Sequence, residues 1–268
     1  MRRRAEARGS GAPEWGPGRL LVLIVLSAVV ALAVLAGLVV AVVGRFVDGE
    51  PGTTDAPRPP APTTATSRQD ALAAAPMTTA DPDAALPGPL SDQIAGVIQL
   101  PRATGAGPGG VPSGFPRTPE GAVAQLAAID VTVMQTGSMD GVRRVIADWA
   151  APGGPTPETW SGMDGMAALL SAAGLSGAGS PQVAIVVRPV MGLIKGTVGS
   201  EFAVVCVNFE FTVTVEQTSR IAIADCQRMQ RTGDRWVIGA GEEPAQAPSV
   251  WPGTDAAIEA GWRDLRHG

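Results

Sequence analysis

Phe202-Ala203-Val204-Val205-Cys206-Val207-Asn208-Phe209-Glu210-Phe211-Thr212-Val213-Thr214-Val215 is the stretch on which the fold turns. It is rich in β-branched and aromatic residues and alternates with a period of two, so it reads as a long strand. Ala203, Val205, Val207, Phe209, Phe211, Val213 and Val215 share one face, and Asn208, Glu210, Thr212, Thr214 and Glu216 share the other. A turn at Gln217 to Ser219 leads into a second strand carrying Ile221 and Ile223 and running on to Met229. Thr232-Gly233-Asp234 turns the chain again into Arg235-Trp236-Val237-Ile238. Upstream, the β-branched run Val183 to Val187 ends at Pro189. About four antiparallel strands joined by hairpins are expected.

Before these strands the period is 3.6. Thr118-Pro119-Glu120-Gly121 is a helix start, with Thr as N-cap, Pro at the first helical position and Glu in the first turn. Ala122, Val123, Leu126, Ile129 and Val133 then form one apolar face. Ser138 or Asp140 can cap a second helix facing inward with Val142, Val145, Ile146 and Trp149. Thr156-Pro157-Glu158 opens a third, striped by Met163, Met166, Leu169 and Leu170 and ended by Gly174. Helices followed by hairpins give an α+β domain over residues 113–243, with three helices packed on one face of a four-stranded antiparallel sheet.

The amino-terminal part reads differently. Leu20 to Val43 are 24 residues without a charge, which as a helix at ~1.5 Å per residue would be roughly 36 Å long, enough to cross a bilayer. Residues 1–19 carry Arg2, Arg3, Arg4, Arg8 and Arg19 against Glu6 and Glu14, whereas the part after Val43 sums to −8. The positive-inside rule therefore expects a cytoplasmic tail at 1–19, a single transmembrane helix at 20–43 and an extracytoplasmic remainder. Ala33, Gly37 and Ala41 form a small-residue stripe through which such helices could pair into a homo-oligomer. Residues 44–112 hold 12 of the 24 Pro and few large apolar residues, so a disordered linker is expected there. Its one apolar island is Leu90 to Ile98. The tail, 244–268, is expected to carry a short helix capped by Thr254 or Asp255, with Ile258, Trp262 and Leu265 on one face.

Composition excludes several chemistries. The single His, His267, stands next to the last residue of the 268, and there are two Cys and no Tyr. A His-based triad, a four-thiolate metal site and a multi-bridge scaffold are therefore excluded. A net charge of −5 argues against nucleic acid. Cys206 and Cys226 sit on consecutive expected strands. They are directly opposite if the hairpin is centred near Glu216, and four residues out of register if it is centred at Thr218. Outside the membrane a disulfide between them is chemically reasonable, with two buried thiols as the alternative. Asp130 falls near the apolar stripe of the first helix, while Asp164 and Asp225 read as isolated carboxylates. An enzyme would need a polar cluster around Asp130, so no catalytic residue, cofactor or metal is expected. Gly105 to Gly110 lack the flanking strand and helix of a phosphate loop, and Lys195 reads as a turn residue.

The apolar span, the Pro/Thr stalk, the run Gly114-Phe115-Pro116-Arg117-Thr118-Pro119-Glu120-Gly121-Ala122-Val123-Ala124 and the tail Trp251 to Leu265 resemble uncharacterised single-pass membrane proteins of actinobacteria associated with conjugative and integrative elements. The overall plan is similar to TcpC-like conjugation proteins, whose outer domains resemble nuclear transport factor 2. The resemblance implies a nuclear transport factor 2-like outer domain and a non-enzymatic, membrane-anchored scaffold in a conjugation (type IV secretion-like) apparatus. Its partners would be the bilayer and other envelope or transfer-machine proteins. The alternative, similar to Mce-associated proteins, is an extracytoplasmic binding module for a lipid or hydrophobic ligand. Its pocket would be lined by Val123, Leu126, Asp130, Phe209 and Phe211.

Overall fold

A computed structural model describes residues 64–172, 175, 184–214 and 218–268. The stretch expected to span the membrane and the basic tail before it lie outside the described residues. Among the described residues no helix is long and apolar enough to cross a membrane.

In chain order the elements are helix α1 (Ala65–Ala74), strands β1 (Val97–Leu100), β2 (Gly105–Ala106) and β3 (Pro112–Ser113), and helices α2 (Pro119–Gln135), α3 (Met139–Trp149) and α4 (Ser161–Ala172). The long strands β4 (Ala184–Thr197), β5 (Phe202–Thr214) and β6 (Thr218–Thr232) follow, then β7 (Arg235–Ile238), the short helix α5 (Asp255–Glu259) and β8 (Arg263–His267).

The expected four-stranded antiparallel sheet of a nuclear transport factor 2-like domain is overturned. The sheet has six strands in the order β1-β8-β4-β5-β6-β7, and it is mixed because β1 runs parallel to β8. It curls into a half-barrel. Register shifts at Pro189/Met191 and Ile194/Gly196 bend β4, so Pro189 sits at a bulge inside a strand rather than ending one. The expectation of disorder up to residue 112 is also corrected, since from residue 64 the chain supplies α1, β1, β2 and part of the core.

The long strand explains the layering. Ala203, Val205, Val207, Phe209 and Phe211 face α2 and join Val123, Leu126, Ile129 and Trp149 in the main core. The opposite face of β5 is buried too. Cys206 joins a second cluster with Met191, Val250 and Trp262, and Phe202 and Val204 pack with Leu72. The Ala/Pro-rich segments 64–96 and 243–262 cover this face through single polar ties. Asn208 Nδ2 donates to Val250 O at 2.7 Å, and Cys226 N donates to Gln246 Oε1 at 2.9 Å. Lys195 lies in β4, not in a turn, and its ammonium donates to the carbonyls of Ala73 and Ala75 at the end of α1.

Local signals act as their chemistry dictates at most helix starts. Thr118 Oγ1 accepts from Gly121 N and Ser138 Oγ accepts from Gly141 N, which satisfies otherwise unpaired first-turn donors. A Cβ on Gly121 would lie 2.1 Å from Pro116 O, so only glycine fits there. The third helix begins at Ser161 rather than at Thr156, because Thr156 to Trp160 close a turn first and Glu243 Oε1 accepts from Ser161 N at 3.0 Å. The tail helix ends at Glu259, and the chain from Arg263 becomes β8, which carries Leu265 into the main core.

Candidate functional site

Helix α2 is buried along most of its length, and its polar residues divide into two kinds. Gln125 is enclosed and satisfied: its Oε1 accepts from Ser113 Oγ and its Nε2 donates to Pro112 O. Asp130, one and a half turns on, is 5 % exposed, and its Oδ2 has no partner among the described residues. Burial raises its pKa well above the ordinary value, and the negative charges of Asp225 and Glu243 raise it further.

Asp225 comes from β6. Register pairs it with Val207, which faces α2, so the alternation Ile221, Ile223, Asp225, Gln227, Met229 turns this carboxylate toward the core. Asp225 Oδ1 accepts from Gln227 Nε2 at 3.0 Å, and Oδ2 has no partner. Burial is the main cause that lifts its pKa from 3.8 to about 7. Glu243 adds to the rise, while hydrogen bonds from Gln227 and the Cys226 backbone oppose it.

Trp160 is the third unsatisfied group. The other fully buried indoles each donate to a carbonyl: Trp149 to Pro108, Trp236 to Pro116 and Trp262 to Pro248, at 2.9–3.2 Å. Trp160 Nε1 has no acceptor among the described residues, although its residue is 2 % exposed. A buried polar group left unpaired costs about 1–3 kcal/mol, and the residues that carry these three border one hollow.

That hollow is a cavity of about 160 Å³ between α2, α4 and the sheet, lined by Asp130, Met134, Trp160, Phe209, Phe211 and Asp225 among others. The Phe209 and Phe211 rings stand at 73° with centroids 6.2 Å apart. Gly165 and Gln246, both exposed, border it and mark its mouth. Of the residues singled out in the sequence, the fold brings Asp130, Phe209 and Phe211 to this cavity. Val123 and Leu126 are fully buried in the solid core and do not border it. Asp225 and Trp160 were missed; the alternation from Ile221 was the signal that could have found the first.

Cys206 and Cys226 stand directly opposite in the β5–β6 ladder and are joined as a disulfide. The bridge lies on the sheet face away from the cavity. A second, wider hollow of about 660 Å³ lies along the other side of α2, floored by Ala127, Val131 and Leu265 and edged by Arg102 and Arg188. Both arginines are already engaged there, Arg102 with the Gly268 carbonyl and Arg188 with Glu210. Among the described residues, no group of His, Cys, Asp and Glu is arranged to hold a metal ion. Chemically, the first cavity can accept hydrogen bonds, stabilise positive charge and exchange a proton near neutral pH. No protein-family model, curated protein or solved structure matches the chain.

Proposed function

We propose that the described domain is an extracytoplasmic binding module for a small molecule, seated in the cavity between α2, α4 and the sheet. The apolar stretch Leu20 to Val43 holds it to the membrane. The observation that carries this reading is a hollow of about 160 Å³ walled by Phe209 and Phe211 together with two carboxyls, Asp130 and Asp225, and the buried indole of Trp160. A ligand that enters such a hollow exchanges solvent for apolar contact with the two Phe rings and for polar contact with the carboxyls. The size is right for a compact molecule, since an engineered cavity of about 150 Å³ accepts benzene.

A filled-cavity variant tests the reading. Gly165 borders the hollow, and a Cβ built there meets nothing within 4 Å. Gly165→Leu adds a side chain at the mouth whose Cβ meets no neighbour, and it improves helix propensity. Fragments of six to ten heavy atoms, screened against the full chain by ligand-observed NMR, are expected to bind the native protein and to be lost from G165L. Binding that is unchanged in the filled variant, or no binding to either, rejects it.

A second role, as an assembly scaffold among envelope or transfer-machine proteins, is supported by an apolar stripe at the surface. Leu90 is 73 % exposed and Ile94 is 95 % exposed, with Leu86 and Val97 beside them in sequence. Large apolar side chains this exposed are the observation that favours an interaction surface in this segment. Crosslinked partners recovered from native membranes are expected to disappear when Leu90→Asp and Ile94→Asp are combined; an unchanged set of partners counts against the scaffold.

A further inference from the structure

The wider hollow shares no lining residue with the first cavity and lies where α2 passes β4 and β8. The sequence makes the space. Helix α2 presents Ala124, Ala127 and Ala128 there, side chains that stop at Cβ, with Val131 one turn on. Behind them Leu100, Phe115 and Val187 are buried and close the floor. The volume is about 660 Å³. A cavity of about 150 Å³ accepts benzene, so on the same scale this one takes an apolar body of roughly twenty heavy atoms.

The polar side chains around this hollow are of one kind. They are Arg102, Arg188 and His267, and no Asp, Glu, Asn, Gln, Ser or Thr is among its walls. In a chain of net charge −5 that is a local reversal of sign. Arg102 is exposed and donates to the Gly268 carbonyl through Nε alone, at 2.6 Å. Among the described residues it has no carboxylate partner. Arg188 is exposed and stands 3.9 Å from Glu210, which Arg220 Nε holds more closely at 3.0 Å.

An ammonium ligand meets only like charge at this rim. A neutral hydrocarbon covers the floor and gains nothing from the guanidinium groups. An acid gains from both, because the planar fork of Arg matches a carboxylate. Of the two arginines Arg102 alone lacks an acidic partner, so a single negative charge is what the rim leaves unmatched; a phosphate dianion exceeds it. We infer that this hollow binds an amphipathic monocarboxylate, a fatty acid in chemical class. The chain lies along Ala124 to Val131 of α2, and the carboxylate accepts from Arg102.

Methyl-resolved NMR of the full chain in nonionic detergent reads the site through Ala127, Val131 and Leu265. The probes are octanoate, octanamide as its uncharged isostere, and octylammonium. Octanoate is expected to shift these methyls with an affinity at least about tenfold above that of octanamide, and octylammonium to shift them least. Combining Arg102→Gln with Arg188→Gln is expected to bring octanoate within about twofold of octanamide while octanamide binds as it does to the native chain, a result that loss of fold does not give. Partition into detergent is common to native and variant, so it cancels from that comparison. Ala128→Phe fills the hollow and is expected to abolish the binding of both; retained binding overturns the placement. Equal affinity of acid and amide in the native chain overturns the acid, and no shift at these methyls from any probe overturns the site. Tighter binding of octyl phosphate than of octanoate overturns the carboxylate. Each of these outcomes leaves the first cavity untouched, because Gly165→Leu reads that one alone.

Discussion

Stability of the domain is expected to fall as pH rises through the neutral range, and Asp225 sets the size of the effect. In the folded protein its carboxyl holds a proton up to about pH 7, against an ordinary value of 3.8. Below 3.8 both states are protonated and burial is without penalty. Between 3.8 and 7 the unfolded chain ionises while the folded one does not, so folding loses up to about 1.36 kcal/mol per pH unit. Above 7 both are ionised and the loss is complete, on the order of 4 kcal/mol in all. Asp130, raised in the same direction, extends the decline to higher pH. Between pH 5 and 7 Asp225 alone accounts for a loss of about 2 kcal/mol, since the folded carboxyl is half ionised at the upper end, and with an m-value of about 2 kcal/mol/M the urea midpoint falls by about 1 M. Urea unfolding of the chain in nonionic detergent, followed by tryptophan fluorescence, reads this directly. Asp225→Asn keeps an acceptor for Gln227 and removes the charge, so its midpoint is expected to be nearly level from pH 5 to 7. A native midpoint that is flat or rising over that interval would falsify the buried placement of this carboxylate.

Three further outcomes follow from single contacts. Replacing Cys206 and Cys226 by Ser opens a loop of 20 residues and is expected to cost about 3 kcal/mol; ready alkylation of both thiols in the unreduced, urea-unfolded chain would refute the bridge. Trp160→Phe removes a donor with no partner, whereas Trp236→Phe removes one bonded to Pro116 O. The second is expected to lose about 1 kcal/mol and the first to be neutral or better, and equal losses by chemical denaturation would contradict the unpaired indole. Gly121→Ala drives a methyl into Pro116 O at the start of α2 and is expected to destabilise by about 1–3 kcal/mol; a thermal midpoint within a degree of native would show that the entry to this helix is not as tight as described.

Periodic elements were legible where burial on one face decides them. The alternation from Phe202 gives β5 and its core face, and the strand's pairing with β6 sets Cys206 opposite Cys226, one of the two alternatives left open by the residues alone. Thr118 and Ser138 start their helices for a reason that is wholly local. The second sheet layer was illegible for a physical reason. The segments covering it are Pro- and Ala-rich and have no period, and the large apolar surface they bury belongs to the sheet, not to them. A chain segment of that composition cannot form a core alone, yet it can complete one when Lys195 and Asn208 tie its backbone down and its own Gln246 bonds the Cys226 backbone. Strand β8 reads Arg-Asp-Leu-Arg-His, and nothing in so charged a pentapeptide announces a sheet until β1 and β4 flank it.

The site was half legible for a related reason. Asp130 is visible as a charge intruding on an apolar helical stripe, but a lone intruding charge is ordinarily solvated at the edge of the buried face. What changes its meaning is Asp225, nearly a hundred residues later, arriving on the facing strand. The consecutive ladder rows Cys206/Cys226 and Val207/Asp225 point to opposite sides of the same two strands. One row carries the covalent tie of the domain, and the next carries one of its costliest buried groups. A total stability of about 5–15 kcal/mol leaves little room for unpaired polar atoms, and a cross-link worth about 3 kcal/mol placed one residue away is of the size needed to offset them. The bridge and the Asp225 carboxyl are therefore parts of one arrangement: a strand pair whose covalent tie on one face offsets the cost of the polar group carried on the other.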